Sequence, residues 1–499
     1  MTKQTSDPIV SEGLAPAHGL GRNTLLNLAG ALGPIIVALA TVPRYLHVIG
    51  QSRYGVLSIV WLLFSYFAVF NLGLGRATNN QVARLQQAPP EKRQAIFWTT
   101  MALNAALGVV GAVCLIAIGY PLLTSVLDLR AGLQTEMLHG LIWLAIALPF
   151  LMLSLNCIGA LEGLERFDVV NGLQFATLSL YQLAPLAVAY AYGPSLGPLL
   201  AALAASVVLG GLAAFFACWR LLPLGGRPHP EWGAARSLFS FGSWVAVSEV
   251  VGPLLVIADR FVIGAVLGPR AVTRYTVPFS LVSRLALLPG SLSRSLFPRL
   301  SRLTSADASS VSQESTRVIT ALSTPMVVGA MVLMHPFLSL WIGDRFAHDA
   351  APVGEIILLG VWVNTLAYIP FTYLLARGRP DLPAKLHLLE LGPYILALWL
   401  GLHAGGIQGA AWAWSARVAV DAVLLGVASR LYARRDAVVG IPAAVVVASY
   451  LAVSLESGRT ASIVTGIVMV ALACLAGWFV APQQARALIL PTRPAEAKL

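Results

Sequence analysis

Apolar residues run through this chain in long blocks, and polar positions gather between them. Each block holds about 20 residues, enough for a helix to cross a hydrocarbon core of about 30 Å. The blocks fall at 24–43, 56–75, 96–121, 137–161, 172–192 and 198–218. A second set follows at 239–266, 271–297, 316–340, 352–376, 384–403 and 405–428, and two more at 440–456 and 460–481 close the chain. The pattern predicts an all-α polytopic membrane protein with about 14 transmembrane helices. The expected organisation is a cytoplasmic tail (1–20), an N-lobe of six spans (21–219) and a cytoplasmic linker (220–238). A second six-span lobe (239–435), two extra helices (436–482) and a short tail (483–499) complete it.

Composition changes the picture little. Of 499 residues 57% are hydrophobic and 11% charged, against roughly 25% charged in a soluble protein, so there is too little polar surface to face water all round. The first 20 residues lack an apolar core or cleavage site and read as a tail, not a signal peptide. Cys114, Cys157, Cys218 and Cys474 all lie within apolar blocks without metal-ligand spacing, so they read as small hydrophobes. The net charge of +11 would suggest nucleic acid in a soluble protein; here basic residues set topology. With the N-terminus cytoplasmic, roughly 23 Lys and Arg fall on the inner side and about 7 on the outer, as the positive-inside rule requires. Both termini then lie in the cytoplasm.

The two halves repeat. "NLGLGRATNNQVARL" (71–85) corresponds to "LPGSLSRSLFPRLSRL" (288–303), and "IGQSRYGVLS" (49–58) to "LGPRAVTRYTVPFS" (267–280) with a three-residue insertion. Six spans separate the copies, so both insert with the same orientation. Such parallel repeats place a seam between two bundles, where transporters bind substrate.

Charged residues interrupt the apolar blocks, and these are the candidates for chemistry. At about 100° per residue, Thr273, Ser280, Arg284, Ser291 and Ser295 share one line of the eighth block. An arginine at mid-depth costs several kcal/mol or more when it faces lipid, so Arg284 is expected to face a hydrated cavity. In "LLVIADRFVIGAVLG" (254–268), Arg260 shares a face with Glu249, three turns earlier. Glu249, Asp259 and Arg260 read either as cavity charges, with a carboxylate for H+ or Na+ coupling, or as helix-bridging salt bridges. Asn23 and Asn27 line a face of the first block with Arg22 at its mouth, fit for a sugar or a neighbouring helix. Arg417 and Asp421 are an i, i+4 pair that can neutralise itself. Glu390 with His387 one turn before it is ambiguous, and Asn364 with Tyr368 reads as core hydrogen bonding. Nothing in the chain matches a P-loop, an H-E-x-x-H zinc motif or a dinucleotide fingerprint. No metal site, cofactor or enzyme activity is expected, and membrane transport is what remains.

Several motifs in order carry a family resemblance. Pro43, Gly50 and Tyr54-Gly55 are followed by Asn71-Leu72-Gly73 and Ala77; the second half shows Asp259-Arg260-Phe261, Ile263-Gly264, Leu267-Gly268 and Tyr275. In these the chain resembles the polysaccharide-export branch of the MOP (MATE-like) superfamily, the Wzx-type O-antigen and exopolysaccharide repeat-unit flippases. The resemblance implies two six-helix lobes around a basic cavity that opens alternately to each side of a bacterial inner membrane. The cargo it implies is an undecaprenyl-diphosphate-linked oligosaccharide, handled alongside other polysaccharide-assembly proteins and without nucleic acid. Arginine suits a diphosphate because its planar fork grips phosphate oxygens and keeps its charge. Arg260, Arg284, Arg274, Arg22 and Arg76 are the expected diphosphate contacts; Asn23, Asn27, Ser280 and Ser291 are candidates for the sugars. The alternatives are a lipid II flippase or a multidrug/cation antiporter of the same superfamily. A membrane-embedded polymerase or ligase fits less well, because the outer loops are short.

Overall fold

The computed structural model describes residues 36–67, 74–85, 89–126, 131–222, 258–431, 439–455 and 459–483, together with positions 71, 255 and 486. Arg22, Asn23, Asn27 and Glu249, both tails but for two residues, and most of the 220–238 linker lie outside the described residues.

Every regular element among the described residues is helical. The first is α1 (Ile36–Val48), followed by α2 (Gly50–Phe67), α3 (Leu74–Arg84), α4 (Pro90–Pro121), α5 (Ala131–Gly163), α6 (Phe167–Tyr192) and α7 (Leu196–Leu221). Then come α8 (258–267), α9 (Pro269–Val282), α10 (Leu287–Arg302), α11 (Ser305–Trp341), α12 (Asp344–Ala376) and α13 (Asp381–Ser429). The last two are α14 (Gly440–Leu455) and α15 (Arg459–Val480).

The expectation of an all-α polytopic membrane protein stands; its clean set of fourteen spans in two lobes does not. Among the described residues 7 helices are long and apolar enough to cross a membrane: those within Glu91–Ser125, Ala131–Gly163, Leu196–Leu221, Ser305–Trp341, Asp344–Ala376, Asp381–Ser429 and Ile463–Val480. The differences have local causes. The blocks at 384–403 and 405–428 are two helical arms, labelled together as α13, that meet at non-helical backbone at Gly405 and Gly406. There glycine is needed, because Gly406 takes φ +56, a region costly for residues with a Cβ. The block at 271–297 is broken: α9 has 14 residues, a 3-10 turn occupies Ser283–Ala286, and α10 has 16. Arg284 sits in that turn.

The described residues divide into two compact units. The first takes residues 36–44, 71, 74–116 and 140–222; the second takes 45–67, 117–139, 255 and the described residues from 258 onward. In the first, α3 is polar along much of its length, and it docks on α5 through small residues. A Cβ built on Gly159 would lie 2.2 Å from the carbonyl oxygen of Gly75, so the two backbones touch. Close backbone approach of this kind is the usual basis of helix association in lipid. In the second unit α11, α12 and α13 pack in succession. The terminal helix α15 lies along α11, where a Cβ on Gly477 would meet the Ala321 carbonyl at 2.5 Å and one on Gly466 would meet Val332 at 2.6 Å.

Candidate functional site

The second unit holds most of the charges that the sequence places at membrane depth. Asp259 and Arg260, adjacent on α8, are 0% and 3% exposed. The Arg260 guanidinium donates through Nη1 to Asp259 Oδ1 at 2.8 Å and Oδ2 at 3.1 Å, and its backbone N–H donates to Oδ1 at 2.7 Å. From α9 the Tyr275 hydroxyl donates to Asp259 Oδ2 at 2.7 Å. Arg260 Cζ lies 3.9 Å from the centroid of the Phe279 ring and 5.6 Å from that of Tyr275, and Trp414 of α13 stands edge-on to Phe279 at 5.2 Å. A buried charge persists only when it is paired and hydrogen-bonded, and this aromatic box supplies both. The expected place for Arg260 was the wall of a hydrated cavity. The structure instead buries it against rings, with Asp259 as counter-ion, because a long guanidinium can fold back onto the neighbouring carboxylate. Asp259, a candidate for ion coupling, has both oxygens engaged.

A second group sits on α13. Arg417 Nε bonds Glu390 Oε2 at 3.2 Å, and His387 Nε2 lies 3.4 Å from Asp421 Oδ1. The expected pairing within one helical turn, Arg417 with Asp421, is replaced by pairs that cross between the arms of the helix. The Gly405–Gly406 kink brings the arms together: a Cβ on Gly401 would lie 2.5 Å from the Gly409 carbonyl oxygen. Glu390 and Asp421 are both buried.

The third group is exposed. Ser280, Arg284, Ser291, Arg294 and Ser295 all present surface, whereas Thr273, expected on the same stripe, is buried and donates to the Gln51 carbonyl at 2.6 Å. Thr273 is covered because α9 meets α2 there, at Gln51 and Gly55, so the exposed stripe starts only beyond it. Arg294 donates to Ser291 Oγ at 3.2 Å. A Cβ on Gly290 would find Arg294 Nη1 at 3.8 Å and Tyr368 Cε1 at 3.9 Å, so the arginine and the tyrosine flank that glycine. Among the described residues neither Arg284 nor Arg294 has an acidic partner. Arg274, by contrast, is paired with Asp349 at 3.0 Å. Arg76 lies near the start of α3 in the other unit. Arg294 was not among the expected site residues: on a regular helix it lies about 80° from the line of Arg284, and only its spacing of three from Ser291 pointed to it.

The described residues contain no cluster of His, Cys, Asp or Glu able to hold a metal ion. Comparison with known proteins gives a consistent result. The profile of the polysaccharide biosynthesis protein family matches residues 48–351. A Shigella flexneri protein named for O-antigen transport is 26% identical over 405 residues, 81% of this chain and 96% of that relative. Among solved structures, the lipid II flippase MurJ in an inward closed conformation superposes with a TM-score of 0.69 at 12% identity, covering 93% of this chain and 100% of that one. An inward-facing multidrug resistance MATE transporter of the MOP superfamily gives 0.66 at 14% identity, covering 82% and 94%. These structures share the fold, and the family profile covers more than half the sequence. The chain belongs to the polysaccharide biosynthesis protein family and is a multi-pass membrane protein with the fold of these two solved structures.

Proposed function

We propose that the protein flips an undecaprenyl-diphosphate-linked oligosaccharide from the inner to the outer leaflet of a bacterial inner membrane, with both termini cytoplasmic. One observation carries the anionic cargo: Arg284 and Arg294 are exposed and unopposed by acid among the described residues, on a face lined with serines. An uncompensated arginine at depth is expensive and marks a substrate path. A diphosphate headgroup supplies the missing negative charge, and its own desolvation in lipid is offset by the same contacts. Ser280, Ser291 and Tyr368 are the neighbouring groups for sugar hydroxyls. Arg260 and Arg274 support this surface from within ion pairs rather than contacting cargo.

The solved structures sit nearer the alternative, a lipid II flippase or a multidrug/cation antiporter. A pump for cations needs acids on its exposed face. Here Asp259, Glu355, Glu390 and Asp421 are all buried, which favours an anionic, lipid-linked sugar. Lipid II and a polysaccharide repeat unit share the diphosphate, so the experiment must separate them. Purified protein in nanodiscs is titrated with undecaprenyl-diphosphate-linked repeat unit, with lipid II and with a cationic dye. Repeat-unit binding should weaken about 10- to 100-fold in Arg284→Ala or Arg294→Ala, the worth of one charged hydrogen bond. Tighter binding of lipid II moves the assignment to peptidoglycan precursor, and binding of the dye alone overturns the reading.

A further inference from the structure

The serines beside Arg284 and Arg294 have their protons committed. Ser280 donates to the Thr276 carbonyl at 2.7 Å, Ser283 to that of Ser280 at 3.1 Å, Ser291 to that of Leu287 at 2.7 Å and Ser295 to that of Leu292 at 2.8 Å. Each hydroxyl bonds back to a carbonyl three or four residues earlier, a habit of serine in helices, and Ser291 also accepts from Arg294. These groups can still accept, but none can donate without breaking a bond it has. Arginine only donates. A sugar hydroxyl does both, so this face lacks a partner that can answer it in both directions.

Such partners stand on α12. The sequence predicts core hydrogen bonding for Asn364 and Tyr368. They do share a helix face, four residues apart, but among the described residues neither side chain makes a hydrogen bond. Both are partly exposed and lie within a helix long and apolar enough to cross a membrane. Their neighbours are satisfied: Trp362 Nε1 donates to Thr324 Oγ1 at 3.0 Å, Thr365 to the Trp362 carbonyl at 2.6 Å and Thr372 to the Tyr368 carbonyl at 2.7 Å. An amide and a phenol left without partners at that depth are costly unless a ligand completes them. Their place fits one. A Cβ on Gly290 would stand 3.8 Å from Arg294 Nη1 and 3.9 Å from Tyr368 Cε1, so the missing side chain leaves a notch between a cation and a ring. α10 and the turn before it, which carry both unpaired arginines, pack on α12.

We propose that Asn364, Tyr368 and the Gly290 notch seat the sugar bonded directly to the diphosphate, and read its hydroxyls while Arg284 and Arg294 hold the phosphates. One bridging oxygen joins that sugar to the diphosphate, so its seat must adjoin the arginines. The Tyr368 ring covers the apolar C–H face of a pyranose, and the Asn364 amide, both donor and acceptor, bonds two neighbouring hydroxyls.

The inference rests on the cargo being a lipid-linked sugar, and the test separates the two. Full-length protein in nanodiscs is titrated with undecaprenyl diphosphate and with the same lipid carrying one sugar, glucose or N-acetylglucosamine. The wild type should bind one glycolipid about 10- to 100-fold more tightly than the bare lipid. Asn364→Leu and Tyr368→Ala should each lower that ratio about 5- to 10-fold, the worth of one neutral hydrogen bond. Tyr368→Phe, which keeps the ring, should lower it less and serves if the alanine form is not recovered folded. Gly290→Val should bring the ratio close to one by filling the notch, whereas Arg294→Ala should weaken both lipids together. An unchanged ratio in the folded Asn364 and Tyr368 variants, or a loss shared equally by the bare lipid, overturns the sugar seat. A wild type that binds the bare lipid and gains nothing from either sugar overturns the seat and leaves the diphosphate assignment standing. A wild type that binds none of these lipids overturns both.

Discussion

In the first unit the buried polar side chains are amides and hydroxyls; the second adds buried charges to its hydroxyls. Around α3 the Asn71 amide donates to Asn104 Oδ1 at 2.8 Å while its oxygen accepts from the Gly75 N–H at 2.7 Å. Asn104 donates in turn to the Thr100 carbonyl at 2.9 Å, and Thr78 donates to Asn156 at 2.7 Å. Asn71, Thr78, Asn104 and Asn156 are all buried. Each group has its bonds, and none carries net charge, so desolvation costs little once the network closes. In the second unit Asp259, Arg260, Glu390 and Asp421 are as deeply buried but need specific counter-ions. The contrast teaches that polarity at depth has two uses here. The neutral network fixes a helix; the charged one leaves arginines to spare on an exposed face.

The largest effect should come from breaking a buried charge pair. Asp259→Ala strands Arg260 among Tyr275, Phe279 and Trp414, and removing one partner of a buried pair costs about 3–5 kcal/mol. Thermal unfolding in detergent should show a large fall in melting temperature, with poor recovery of monodisperse protein. The double variant Asp259→Leu with Arg260→Met should recover most of the loss, since a packed apolar substitute is often neutral. A double variant as unstable as the single one would mean that the charges have a role beyond neutralising each other.

The neutral network should respond more mildly. Asn104→Leu leaves the Asn71 amide without its acceptor, and interhelical hydrogen bonds in membrane proteins are worth about 0.6 to 2 kcal/mol. The drop in melting temperature should be well below that of Asp259→Ala, and Asn71→Leu with Asn104→Leu should cost less than the sum of the single changes. Equal losses in the two units would erase the distinction drawn between them.

How much of this was legible in advance follows from what a linear pattern encodes. Helix positions came through, because burial in lipid demands a long apolar run wherever a helix crosses. The repeat came through as well, down to Gly50 and Gly268, which take φ +76 and φ +78. Partners did not. Arg417 was paired with Asp421 by spacing alone, and only the fold-back at Gly405–Gly406 shows Glu390 to be nearer. Arg260 was assigned by the direction of its Cβ, whereas four further bonds decide where its guanidinium ends. The stripe through Arg284 assumed an unbroken helix with one exposed face; a 3-10 turn occupies Ser283–Ala286, and Thr273 is covered by its hydrogen bond to the Gln51 carbonyl on α2. The division into clean spans was hidden for a related reason: hydropathy marks apolar length, and kinks, turns and short helices decide how that length is divided among the described residues.

The smallest effect belongs to the ion pair of Arg274 with Asp349, and its smallness is informative. Arg274 and Asp349 are each about one-third exposed, and exposed ion pairs contribute about 0–1 kcal/mol. Arg274→Gln should therefore barely move the melting temperature, in contrast to Asp259→Ala only one helix away in sequence. If Arg274 contacted a diphosphate, as the sequence suggested, the same variant would weaken lipid-linked sugar binding as strongly as Arg284→Ala. If it is a clamp, binding stays within about twofold, the range expected when no charged hydrogen bond to cargo is lost. Measuring stability and binding on the one variant thus separates a charge that holds helices from a charge that holds cargo, which is the division the second unit draws between its paired and unpaired arginines.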